Sequence, residues 1–164
     1  MRYYVDTEFN GNEGQLLSIA LVSQDGERKF YAEQHWHELI QPWVREHVVP
    51  LLAGAQMPRP YISKQMRKFL EKDSGLVTIV GDWPEDIVHV ASLMLRDMGK
   101  RNPPIQCRFL MLDLPGFNTA DHSAKPHNAL DDAVCLREYV ETQLALDQIE
   151  SSLSREDRAL LAGT

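Results

Sequence analysis

The residues best suited to chemistry come in three pieces. The first is Asp6-x-Glu8, at the end of a β-prone run, Tyr3 to Val5. In a strand, residues i and i+2 share a face, so the two carboxylates project together. They repel one another unless a proton or a metal compensates. A hard, oxygen-seeking cation such as Mg²⁺ or Mn²⁺ suits such a pair. The second piece is Asp86, with Asp82 four residues before it, where a strand gives way to a helix. The third is His127 with Asp132, at the start of a late helix. One fold can bring strand ends and helix starts to one edge of a sheet. Four acids gathered there would be intolerable without cations. Two divalent ions roughly 3.5–4 Å apart would settle them, and such a pair serves in-line hydrolysis of phosphodiesters. A histidine beside the pair, with an ordinary pKa of about 6.5, can take a proton from the attacking water.

The elements that must position these groups can be read in order. Asn10 to Gly14 is a turn. Leu16 to Val22 is an apolar strand, Asp25-Gly26 a hairpin signal, and Lys29 to Ala32 a returning strand. Over Gln34 to Leu52 the period becomes helical, with Trp36, Leu39, Ile40, Trp43, Val44 and Val48 recurring and Pro42 near a helix start. His35, His37 and His47 fall here and read as surface or packing histidines. Ser63 to Lys72 reads as a helix with Met66, Phe69 and Leu70 inward. Leu76 to Val80 is a strand. Asp82 then caps a helix that carries Glu85 and Asp86 in its first turn and runs through Ile87, Val90, Leu93, Met94 and Met98. Gly99 to Pro104 is a basic loop, Arg108 to Leu112 a strand, Leu114 to Pro126 a long loop and His127 to Leu146 a long helix. A charged helical tail occupies about 147–164. The order is that of an α/β chain with a central mixed sheet.

Size and composition bound the function. The chain has 164 residues, 43% hydrophobic and 25% charged, which suits one domain spanning 1–164. A net charge of −7 argues against a general nucleic-acid coating protein. It leaves room for an enzyme that grips a few nucleotides, since metal-binding acids account for part of the charge. Cys107 and Cys135 have neither zinc-ligand spacing nor a disulfide-rich setting. No signal peptide or membrane span is evident, so a cytoplasmic location is expected.

Taken together, the pieces resemble the DEDDh 3′–5′ exonucleases of the ribonuclease H-like superfamily. Asp6-Thr7-Glu8-Phe9 looks like the family's first motif. Asp82-Trp83-Pro84-Glu85-Asp86 has the spacing of the second, Asn-x-x-Phe-Asp, with Asp82 in place of Asn and Glu85 in place of Phe. That alignment puts the catalytic acid at Asp86, with Asp82 as its rival. His127-Asn128-Ala129-Leu130-Asp131-Asp132-Ala133 matches the third, His-x-Ala-x-x-Asp-Ala, and selects Asp132 over Asp131. The likeness covers roughly residues 1–145 and is closest to compact bacterial RNase T-like exoribonucleases.

The resemblance implies a ribonuclease H-like fold, its N-terminal antiparallel meander and central mixed sheet flanked by helices. It implies two divalent ions, Mg²⁺ or Mn²⁺, held by Asp6, Glu8, Asp86 and Asp132, with His127 as general base. The implied activity is metal-dependent 3′–5′ hydrolysis of single-stranded or 3′-overhang RNA by a homodimer. DNA is the alternative substrate, and a non-catalytic nucleic-acid-binding module the alternative class. Phe9 and Trp83 are candidates to stack on terminal bases. Arg59, Lys64, Arg67, Lys68, Lys72, Lys100 and Arg101 are candidates to hold phosphates.

Overall fold

A computed structural model describes residues 1–95 and 105–152 of the chain. The meander forms as its turn signals require: β1 (Arg2–Phe9), β2 (Leu16–Ser23) and β3 (Lys29–Gln34) pair antiparallel in sequence order. Gly26 makes the β2–β3 turn at φ +78°, a conformation glycine adopts without strain. The sheet is completed by β4 (Gln56–Met57), β5 (Val77–Gly81) and β6 (Cys107–Met111), each parallel to its neighbour, in the order β4-β3-β2-β1-β5-β6. The protein is therefore α/β with a six-stranded mixed sheet flanked by helices.

Alternation along β1 decides the layers. Tyr3 and Val5 face one side, where Ile19, Leu21 and Ile79 join them under α2 (Arg59–Leu70) and α3 (Pro84–Met94). Tyr4 faces the other side, with Ala20, Val22 and Val80, under α5 (Ala129–Ser152). The small side chains of Ala129 and Ala133, fully buried, let α5 lie close on β2. Asp6 and Glu8 share the parity of Tyr4 and so point toward the α5 side.

Several boundaries differ from the sequence reading. β1 runs on through Glu8 to Phe9, with its register broken between those two residues. The helix expected over Gln34 to Leu52 shrinks to α1 (Pro42–His47) and a 3₁₀ turn at Val49–Leu51. Pro42 sits at the helix start as its missing N–H demands, but Leu39 is 85% exposed and Trp43 52% exposed rather than inward. Ile40, Val44 and Val48 carry that segment's packing. α2 starts at Arg59, earlier than the pattern suggests, and buries Ile62 besides Met66 and Leu70. The cap of α3 is Trp83, with no side-chain cap bond, so Asp82 is not the N-cap expected. The long loop before α5 contains one helical turn, α4 (Thr119–His122). The basic loop at 99–104 and most of the C-terminal tail lie outside the described residues.

Candidate metal centre

Three carboxylates converge where β1 meets the start of α5. Asp6, Glu8 and Asp132 each offer an oxygen, and the three oxygens lie within 4.8 Å of one another. One oxygen of Asp6 and one of Asp132 are sealed from solvent and accept no hydrogen bond. Buried carboxylate oxygens without partners are costly. Their arrangement fits a hard divalent cation, whose preferred ligands are oxygens.

The electrostatics are those of crowded acids. Burial, then the charges of Asp86, Glu8, Asp132 and Asp82, raise Asp6 well above the usual carboxylate range. Burial, with Asp132 and Asp86 nearby, pushes Glu8 up to about 8. Burial also raises Asp132 and Asp82. Asp86 is pushed to about 7, mainly by burial, although hydrogen bonds from Thr7 pull the other way.

Asp86 stands apart from the three-oxygen cluster. Its Oδ1 accepts from the Thr7 N–H at 2.9 Å and from the Thr7 hydroxyl at 2.6 Å. It is nevertheless the strongest charged neighbour of Asp6, ahead of Asp82. Both residues line the cleft described below, with Asp86 the more buried.

His127 is not in the helix. It precedes α5 with φ +67°, and its N–H donates to Asp132 Oδ2 at 2.9 Å. Asn128 then caps α5, its side-chain oxygen accepting from the N–H of Leu130 at 3.1 Å. This turn brings His127 and Asp132 to one site, which a regular helix would set about 140° apart.

The acids and His127 line a cleft of about 630 Å³. Phe9 and Trp83 line it too. Phe9 packs its ring 5.3 Å from that of His89. Trp83 is 56% exposed, and its indole N–H donates to Glu85 at 3.0 Å. The other oxygen of Glu85 accepts from the N–H of Glu13 at 2.7 Å, so one carboxylate ties α3 to the loop after β1. The same loop holds α1. Asn10 donates to the Leu39 carbonyl and accepts from the Gln41 N–H. Gly11 lies so near the Gln41 side chain that a Cβ there would run into it.

The candidate phosphate-holding groups fare differently. No Lys or Arg is among the described residues lining the cleft. Lys64, Arg67 and Lys68 belong to α2, across the sheet from Asp6 and Glu8, and Arg67 pairs with Glu71. Arg59 donates to Ser92 and Gln34. Lys100 and Arg101 lie outside the described residues.

Sequence reading missed Trp43, Gln41 and Thr119 as cleft residues. The signal available for Trp43 was its spacing from His47, one helical turn away, which stacks the two rings at 4.6 Å.

His35, His37 and His47 are exposed, and none joins the carboxylate cluster. Among the described residues no helix is long and apolar enough to cross a membrane. Neither the protein-family models nor the curated proteins give a match to the chain.

Proposed function

We propose that the protein is a metal-dependent 3′–5′ exonuclease of the DEDDh type on a ribonuclease H-like fold, acting on RNA in preference to DNA. The observation that carries this reading is the convergence of Asp6, Glu8 and Asp132 within 4.8 Å, two of their oxygens buried and unpartnered, in a cleft that also holds His127. The antiparallel meander followed by parallel strands supports the fold assignment.

Asp6, Glu8 and Asp132 would hold the ions, and Asp86 stands behind Asp6, held by Thr7. When bound, the two divalent ions neutralise charge developing on the phosphate and on the leaving oxygen. His127, at the mouth of α5, takes the proton of the attacking water, and the Asp132 contact fixes its backbone for that role. Phe9 and Trp83 offer aromatic faces on which the terminal bases stack, each contact worth about 1–3 kcal/mol. Homodimerisation, implied by the family resemblance, belongs to the same proposal.

The test is a time course on 5′-labelled single-stranded RNA and matched DNA, with Mg²⁺, Mn²⁺ or chelator. The expected result is a ladder shortening from the 3′ end, lost with chelator and lost in Asp6→Ala and His127→Ala. Faster loss of the DNA would reassign the substrate. No cleavage by the folded protein under either metal would make it a binding module.

A further inference from the structure

The imidazole of His127 makes no hydrogen bond to any described residue, although the His127 N–H is held by Asp132 and its backbone sits at φ +67°. Its ring meets Trp43 instead, with centroids 5.1 Å apart and planes at 85°. Such an edge-to-face pair favours one ring orientation by a few-fold to about tenfold. Trp43 is itself held. The His47 ring stacks on it at 4.6 Å with planes 12° apart, and His47 Nδ1 lies 2.9 Å from the Trp43 carbonyl oxygen. The helix carrying both is tied through Asn10 to the end of the strand that bears Asp6 and Glu8. A continuous set of contacts thus runs from the acid-bearing strand, through α1 and Trp43, to the His127 ring.

We propose that Trp43 is a positioning residue for His127, with His47 as its backing. The indole holds the imidazole in the cleft in an orientation set by the same strand that sets the carboxylates. No hydrogen bond does this work, so the ring nitrogens stay free for proton transfer. The inference rests on the exonuclease reading for its kinetic consequence, but the ring contact can be tested without activity.

The experiment uses Trp43→Leu, Trp43→Phe and His47→Ala in the full chain. Kinetics are followed on single-stranded RNA with Mn²⁺. The His127 ring signals are followed by ¹H–¹³C NMR in metal-free protein and assigned by their loss in His127→Gln. Trp43→Leu should lower kcat by about tenfold or more with KM within about twofold, and Trp43→Phe should restore most of it. His47→Ala should lower kcat by about threefold and add nothing to Trp43→Leu. The His127 signals should shift and broaden in Trp43→Leu. Signals that do not move, or a His47→Ala effect that multiplies with Trp43→Leu, would overturn the proposal. So would a raised KM with unchanged kcat, which would make Trp43 a surface for stacked bases. If the parent protein hydrolyses nothing, the exonuclease reading falls. The NMR arm then decides the Trp43–His127 relationship alone, and it holds even if Trp43→Leu fails to fold, because exposed His47→Ala should broaden the same signals.

Discussion

Thr7 gives both of its donors, the main-chain N–H and the side-chain hydroxyl, to a single oxygen of Asp86. Thr7 lies between Asp6 and Glu8 in β1 and faces the opposite side of the sheet. The strand therefore presents two carboxylates to the α5 side while gripping a fourth acid from α3 with the residue between them. Thr7→Val keeps the strand-favouring branched shape and deletes only the hydroxyl. It should cost about 1–3 kcal/mol of stability, because a buried acceptor loses a partner. It should also lower kcat by about tenfold, because Asp86 keeps only the main-chain N–H of its two anchors. Urea unfolding and RNA hydrolysis measured on the same preparation check both. A variant of unchanged activity would show that Asp86 does not need the Thr7 hydroxyl.

The acid cluster makes metal-free stability depend on pH in a definite sense. Glu8 titrates near 4.5 when unfolded and is pushed up to about 8 when folded, mainly by burial, and Asp6, Asp86, Asp132 and Asp82 are raised as well. Between those limits the folded state holds protons that the unfolded chain has released, so stability falls as pH rises. His89 is lowered, chiefly by burial, and so works in the opposite sense below its ordinary value of 6.5. The window in which the acids act alone is therefore pH 6.5 to about 8. The metal-free Tm should drop across it, and stabilisation by Mn²⁺ should grow across it as the ion replaces the protons. Asp6→Asn should flatten the slope and raise the metal-free Tm at pH 8. Thermal scans with chelator or Mn²⁺ decide the matter, and a metal-free Tm that climbs over this window would contradict the cluster.

Glu85 stands where the resembled motif has phenylalanine, and its two oxygens join the Trp83 indole to the loop after β1. Glu85→Ala should free both Trp83 and Glu13. Because these groups shape the cleft wall and do not touch the carboxylate cluster, KM should rise about three- to tenfold with kcat nearly constant. The cost in stability should stay at about 1 kcal/mol. Steady-state kinetics on a short RNA separate the two parameters. A collapse of kcat would place Glu85 in the chemistry.

How much of this was legible beforehand follows from the range over which each interaction acts. The strands, and the same-face pairing of Asp6 with Glu8, are local: period-two alternation and a Gly at a turn specify them. The grouping of Asp132 with Asp6 came from motif order, since nothing local to either residue predicts it. The place of Trp43 in the cleft was not legible, because helical spacing cannot tell a face turned to the core from one turned to a cleft. Asp82 was misjudged as a cap for a related reason: an acid before Pro84 reads the same whether it caps a helix or faces other acids. The clasp of Glu85 on Glu13, 72 residues apart, left no mark in the spacing of either.

His127 is one of two non-glycine residues with positive φ among those described, at +67°. That region costs an ordinary L-residue roughly 1–2 kcal/mol, and histidine visits it more often than most. The backbone shape, held by the bond to Asp132, and the imidazole are thus separate contributions of one residue. Two substitutions distinguish them. His127→Ala removes the ring and keeps the steric cost, whereas His127→Gly removes both. On the proposed role of His127 as general base, both should abolish hydrolysis, since neither can accept the proton. In metal-free protein His127→Gly should be at least as stable as His127→Ala, against the usual loss of about 0.5–1 kcal/mol for glycine within regular structure. Parallel urea titrations measure the difference. If His127→Ala proves the more stable by the ordinary margin, the left-handed turn is not what carries His127 to the mouth of α5.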